Sequence, residues 1–325
     1  MLSIKSTAMK IAGVAVIASG LMFAASQPKA AELGDTDTAI KIPINEWTGQ
    51  HLSAHLMGQL LGKLGYKTEY VTAGAVPQYA ALSQGDLHVQ PESWDNNVGD
   101  IYPKAVEAGD IVIVGDTGLS AREGWIYPPY MKEKCPGLPD WKALYDCAQA
   151  FGTPETFPKG RLITYPADWG TRSKDLVEQI KLPFVPVAGG SEGAMVAEIK
   201  AAYDAQQPML MMFWQPHWLF ADYEFEWVDW PKDAKECEEK AGLAAGTMTE
   251  CGFQQANVLK ITSKDFKTKW PAAQVLVEKF TFTNKQQNPL IAEVDNKGRK
   301  IEEVVAEWIS NNEAVWQPWI DAAKN

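Results

Sequence analysis

The chain has 325 residues, 22% of them charged, and a formal net charge of −11 at pH 7. That length supports one large or two medium domains, and the composition excludes a disordered or low-complexity protein. So acidic a surface repels nucleic acid and anionic lipid, and neither is expected as a partner.

The first residues read as a secretory signal. Lys5 and Lys10 flank a short positive region, and the apolar run Ile11 to Ala25 (IAGVAVIASGLMFAA) follows. Cleavage is expected between Ala25 and Ala31, so residues 1–31 are assigned to a signal peptide and the rest to the periplasm. The signal carries three lysines and no acid, and its loss takes the net charge from −11 to about −14. No cysteine follows the apolar run to carry a lipid anchor. The four cysteines all lie in the exported part, Cys135 near Cys147 and Cys237 near Cys251. Four cysteines allow three pairings; in an oxidising compartment the two local ones are expected, with unpaired thiols as the alternative. Neither spacing is that of a short zinc knuckle, and no phosphate loop or dinucleotide fingerprint occurs. No metal or cofactor is expected.

The exported part alternates strand and helix signals. TAIKIPINEW predicts a strand ending at Trp47. TGQHLSAHLMGQLLGKLGY predicts a helix with Leu52, Leu56, Leu60 and Leu64 on one face and Gly65 as its stop. KTEYVTA predicts a strand, VPQYAALSQGD a short helix, LHVQPESW a strand ending at Trp94, and DIVIVGDTG another. The pattern restarts with DWKAL as a helix opening, GRLITYP as a strand, WGTRSKDLVEQI as a turn into a helix, and FVPVAG as a strand. SEGAMVAEIKAAYDAQ predicts a helix capped by Ser191, and PMLMMFW the next strand. After FEWVDWP come the second cysteine loop, the strand ANVLKIT and helices through the C-terminus. Such alternation predicts an α/β protein with parallel-rich sheets flanked by helices, in two lobes. Residues 32–117 and 221–325 are assigned to lobe 1 and 118–220 to lobe 2, with a hinge near Gly115–Gly118 and Pro216–Asp222.

The sequence holds 13 Trp. Trp308, Trp316 and Trp319 lie at helical spacing in the C-terminal tail and are expected in the core; Trp141, Trp227, Trp230 and Trp270 also have local packing explanations. Trp47, Trp94 and Trp214 share another context, each sitting where a predicted strand runs into a loop. Trp125 opens the segment beyond DIVIVGDTG, and Trp169 sits in the turn YPADWG. In α/β sheets ligands bind at the carboxyl ends of strands. Five indoles in such places point to an aromatic box, suited to a cation that cannot donate hydrogen bonds, a quaternary ammonium. Trp218, one turn beyond Trp214, is expected behind the box, and His217 as a hydrogen-bonded structural residue. The stretches NEWTGQ, GDLHVQPESWDNN, REGWIYPPY, YPADWG and PMLMMFWQPHWLFADYEF together resemble the substrate-binding proteins of glycine betaine/choline-type ABC importers, in order and over nearly the whole exported chain. The resemblance implies a two-lobed (type II) periplasmic binding protein with its ligand cleft between the lobes. It implies a box of Trp47 and Trp94 from one lobe and Trp125 and Trp214 from the other, with Trp169 as a further wall. It implies an inner-membrane permease with a cytoplasmic ATPase as partner, a monomeric receptor, and no chemistry on the ligand. Gly49 stands where the choline-binding branch carries an Asp, which argues against choline. A glycine betaine carboxylate would need a clamp, for which the DWGTRS turn and Arg172 are candidates, against a solvated helix position for Arg172. Trimethylamine N-oxide would need the box and a donor for its oxygen, such as a water held by Glu123 or Glu92, with a satisfied structural carboxylate as the alternative for either acid. Glycine betaine is the first expectation; trimethylamine N-oxide, choline and dimethylsulfoniopropionate are alternatives.

One motif points to another class. GGSEG, Gly189 to Gly193, fits G-x-S-x-G between a strand and a helix, which would make Ser191 a hydrolase nucleophile with Asp204 and His217 as partners. Asp204, however, falls within the helix that Ser191 opens, leaving no room for the intervening strands. A helix cap explains Ser191 with less. His51 and His55 share one helix face but lack a third ligand nearby in sequence.

Overall fold

The computed structural model describes residues 32–96, 98–231, 237, 251–253 and 256–325; the signal peptide assigned to 1–31 lies outside them. β1 (Ile40–Ile44) leads through α1 (Thr48–Leu64) to β2 (Thr68–Thr72), which pairs parallel to β1 with Ile40 opposite Thr68. The leucine face of α1 is buried, and the helix stops at Gly65, whose φ of 101° is the left-handed turn that glycine adopts without strain. α2 (Pro77–Gln84), β3 (Val89–Trp94) and β4 (Ile111–Asp116) follow. β10 (Val258–Ser263), far along the chain, inserts between β3 and β4 and runs antiparallel to both.

The second lobe holds a five-stranded sheet. Its members are β5 (Arg122–Tyr127), β6 (Gly160–Thr164), β7 (Phe184–Ala188), β8 (Met211–Gln215) and β9 (Glu226–Trp227), in the order β9-β5-β8-β6-β7. α3 (Arg172–Gln179) and α4 (Glu192–Asp204) connect its parallel strands. β6 pairs parallel with β7 and β8, whereas β5 runs antiparallel to β8 and β9 to β5. The two-lobed α/β architecture is the one expected, with mixed rather than uniform pairing. Parallel neighbours need a crossover connection. β5 and β10 enter their sheets straight from the other lobe, so nothing forces them parallel.

The return from the second lobe lies later than 221. β9 pairs with β5, and Asp229 bridges to Asp140, so the chain stays with the five-stranded sheet through these residues. Pro216–Asp222 therefore joins two strands of one sheet. The segment after β4 is tied to the start of β10, where Thr117 donates its backbone N–H and hydroxyl to Val258 O, each at 2.9 Å. The C-terminal helices α5 (Asn284–Asp295), α6 (Ile301–Asn311) and α7 (Glu313–Lys324) pack against α1, burying Trp308, Trp316 and Trp319 as their spacing predicts. Cys135 pairs with Cys147 and Cys237 with Cys251.

Candidate functional site

A cavity of about 40 Å³ lies where the lobes meet, lined by four indoles, Trp47, Trp94, Trp169 and Trp214, with Tyr165, Tyr79, Gln78, Glu123, Ala75 and Val98. Trp47 comes from the loop after β1 and Trp94 from the end of β3; both belong to lobe 1. Trp214 stands near the end of β8, and Trp169 in the 3₁₀ turn after β6. Edge-to-face contacts bind the walls together: Trp47 on Trp169 at 5.2 Å between centroids, Trp169 on Trp214 at 5.5 Å, and Tyr165 on Trp169 and Trp214 at 5.5 and 5.6 Å. Edge-to-face contacts of this kind fix the rings around the cavity that they line.

Trp125 is not among the lining residues. It is fully buried, donates its indole N–H to Ser173 Oγ at 2.9 Å, and packs against Trp230 and Phe253. The direction of β5 is the reason. In parallel strands the carboxyl end faces the cleft, but β5 runs the other way, so its amino end does. The register sets Glu123 opposite Trp214 and Trp125 opposite Met212, two residues deeper into the sheet. Glu123, rather than Trp125, therefore meets the cavity beside Trp214. Tyr165, at the end of GRLITY, also lines the cavity, although it was not among the expected site residues; its position after a strand, four residues before Trp169, is the signal that points to it.

Arg172 is also absent from the aromatic lining. It is buried, donates to Asn96 O at 2.6 Å and Gly252 O at 3.0 Å, and lies over the Phe253 ring. Among the described residues lining the cavity none is cationic. Glu92 stands behind the cavity, where its carboxyl accepts from Trp47 Nε1 at 3.1 Å, Trp94 Nε1 at 3.2 Å, Ser53 Oγ at 2.6 Å and Gln287 Nε2 at 2.7 Å. Gly49 faces the Gln287 amide, which would lie 3.4 Å from a Cβ there, so a longer side chain at 49 would displace it.

Glu123 differs from Glu92. Tyr165 donates its hydroxyl to Oε1 at 2.8 Å, while Oε2 is buried without a hydrogen-bond partner. Burial pushes the Glu123 carboxyl up from its ordinary range, against the opposing pull of Tyr165, Asn96 and Arg172, and pushes Tyr165 still further into its protonated form. A protonated Glu123 would offer an O–H to an acceptor oxygen in the cavity.

The lobes are latched beside the cavity. Trp169 donates its indole N–H to Glu46 Oε2 at 2.8 Å across the cleft. Glu192, at the start of α4, accepts the Thr48 backbone N–H at 2.8 Å and faces His217 Nε2 at 3.1 Å. Asp295 takes the Thr48 hydroxyl at 2.6 Å and the Trp218 indole N–H at 2.9 Å. His217 and Trp218 are thus structural, as their positions suggested. Glu192, His217 and Asp295 lie close enough to hold a metal ion. Yet the Leu219 N–H donates to His217 Nδ1 at 3.2 Å, so the ring proton sits on Nε2 and that nitrogen is not a free ligand. Ser191 Oγ accepts the Ala194 N–H at 3.2 Å as a helix cap, and His217 is engaged with Glu192. The hydrolase alternative is set aside on that geometry.

Residues 38–311 match the OpuAC family, described as the substrate binding domain of ABC-type glycine betaine transport systems. The chain belongs to this family. The trimethylamine N-oxide-binding protein of Pelagibacter ubique (strain HTCC1062) is 29% identical over 293 residues, covering 88% of this chain and 91% of that protein. Among solved structures, lactococcal OpuAC, closed and complexed with glycine betaine, superposes with a TM-score of 0.69 at 19% identity, covering 87% of this chain and all of that one. An ABC-transporter choline binding protein in complex with choline superposes at 0.72 with 18% identity, over 87% and 91% of the two chains. These likenesses establish the two-lobed binding-protein fold. Family membership makes the chain a substrate-binding protein for quaternary ammonium solutes of an ABC importer. Proteins of this family work outside the cytoplasmic membrane, and no helix among the described residues is long and apolar enough to cross one.

Proposed function

We propose that this protein is a periplasmic receptor for trimethylamine N-oxide and hands it to an inner-membrane permease driven by a cytoplasmic ATPase. It acts as a monomer and leaves the ligand chemically unchanged. Trp47, Trp94, Trp169 and Trp214 surround the trimethylammonium head, and the lobes close on it. Each desolvated cation–π contact contributes about 2 kcal/mol, so four give micromolar binding or tighter. The observation that carries the choice of ligand is Glu123, which lines the cavity with a buried, unpartnered carboxyl oxygen. An N-oxide oxygen is a strong acceptor and fits a protonated Glu123. A glycine betaine carboxylate would need cationic or clustered donors, and Arg172 is engaged with backbone carbonyls instead. The family description supports glycine betaine as the second reading.

Calorimetric titration of the mature protein with trimethylamine N-oxide, glycine betaine, choline and dimethylsulfoniopropionate tests this. Micromolar binding of the N-oxide with the others at least tenfold weaker is expected. Preference for glycine betaine would transfer the assignment to the second reading.

A further inference from the structure

Glu92 does not line the cavity, yet it is fully buried directly behind two of its walls. It shares a strand face with Trp94, two residues on, and both that indole N–H and the one of Trp47 end on the same oxygen, Oε1. Oε2 takes Ser53 and Gln287. Three of these four donors, the two indoles and the amide nitrogen of Gln287, can only donate. Only the Ser53 hydroxyl could accept a proton from the carboxyl. We propose that Glu92 is ionised in the binding-competent protein and is the positioning residue that makes the Trp47 and Trp94 walls selective for a cationic head. The inference rests on the quaternary ammonium reading of the same site.

The physical argument has two parts. First, a single oxygen fixes the rotation of both rings by their N–H edges, so their faces are set before ligand arrives. Second, a negative charge accepting an indole N–H pushes electron density toward the ring, and in a dry interior that charge acts on the cavity with little screening. A cation gains from it; a neutral molecule of the same shape does not. Burial pulls Glu92 toward its protonated form, and the bonds from Ser53, Trp47, Trp94 and Gln287 oppose that pull. Trp169 repeats the motif on the other side of the cleft, with its N–H on Glu46. Trp47, Trp94 and Trp169 therefore all have a carboxyl group at their N–H edge.

The test uses tetramethylammonium, a cation with no oxygen for Glu123 to address, and tert-butanol, a neutral molecule shaped like trimethylamine N-oxide. Glu92→Gln keeps an acceptor for the indoles and removes the charge. The expected result is at least a tenfold loss of tetramethylammonium affinity, with tert-butanol competition unchanged and the near-ultraviolet circular dichroism of the fold retained. Equal loss for both ligands would reduce Glu92 to a purely structural part and overturn the inference, as would unchanged cation affinity. Wild-type protein that binds neither tetramethylammonium nor trimethylamine N-oxide overturns the ligand reading and this inference with it. Should E92Q not fold, Gln287→Leu removes one donor from the far side of the carboxyl. It must move the acid-side loss of tetramethylammonium binding to higher pH, and an unmoved profile overturns the inference.

Discussion

Trp47 and Trp169, carried by different lobes, meet edge to face with centroids 5.2 Å apart and planes inclined by 65°. Trp169 is held at this meeting point by Glu46, beside Trp47 in the chain. The two lobes thus touch through two rings that both line the cavity.

Trp169→Ala removes one wall and one cross-cleft hydrogen bond. Trimethylamine N-oxide affinity should fall by about 30-fold or more, the equivalent of one desolvated cation–π contact. Thermal stability without ligand should fall as well, because the indole is buried against Trp47, Tyr165 and Trp214. Calorimetry and a melting curve on the same preparation check both.

Glu123 sets a pH dependence of definite sign. Its pKa is raised by burial, and in the proposed complex the protonated form donates to the ligand oxygen. Affinity for trimethylamine N-oxide should be flat at low pH and fall by up to about tenfold per pH unit as pH rises through the raised pKa. The same sign holds for stability, which this carboxyl favours when protonated and loses as pH rises through that value. Glu123→Gln, which can still donate an N–H, should weaken binding modestly and remove the pH dependence. Titrations across a pH series decide it.

Glu192 stitches the lobes together without lining the box. Hydrogen bonds to charged groups contribute about 1.5–3 kcal/mol. Glu192→Ala should weaken every ligand by the same factor, about ten- to hundredfold, because it shifts closure rather than recognition. Small-angle scattering of the ligand-bound variant should show a larger open fraction at subsaturating ligand. A change in ligand ranking would instead place Glu192 in recognition.

Trp125 separates resemblance from geometry. As a member of the box, its loss would cost as much affinity as that of Trp214. Packed behind the sheet against Trp230 and Phe253, it should influence stability instead. Trp125→Phe should lower the melting temperature by a few degrees, on the order of a 1–2 kcal/mol core change, while leaving the dissociation constant within about threefold.

Much was legible in the chain. The leucine spacing of α1, its stop at Gly65, the cap at Ser191 and the alternation of strands and helices follow from local periodicity and turn chemistry, which act over a few residues. The same holds for the local cysteine pairs and the core Trp of the C-terminal tail. That indoles gather at strand ends, and hence that a soft cation is the ligand class, could also be read directly from position. Strand direction could not, because it depends on where the chain enters a sheet, and a strand looks alike read from either end. The antiparallel course of β5 exchanged Trp125 for Glu123 at the cavity. The pairing of β9 with β5 moved the lobe boundary. The contacts of Arg172 with distant carbonyls leave it outside the aromatic lining. Each of these is a long-range pairing with no local trace, so tertiary structure alone could decide them. The sequence determined that indoles gather at strand ends; the packing of two lobes decided which indoles line the cavity and which carboxyl group stands beside them.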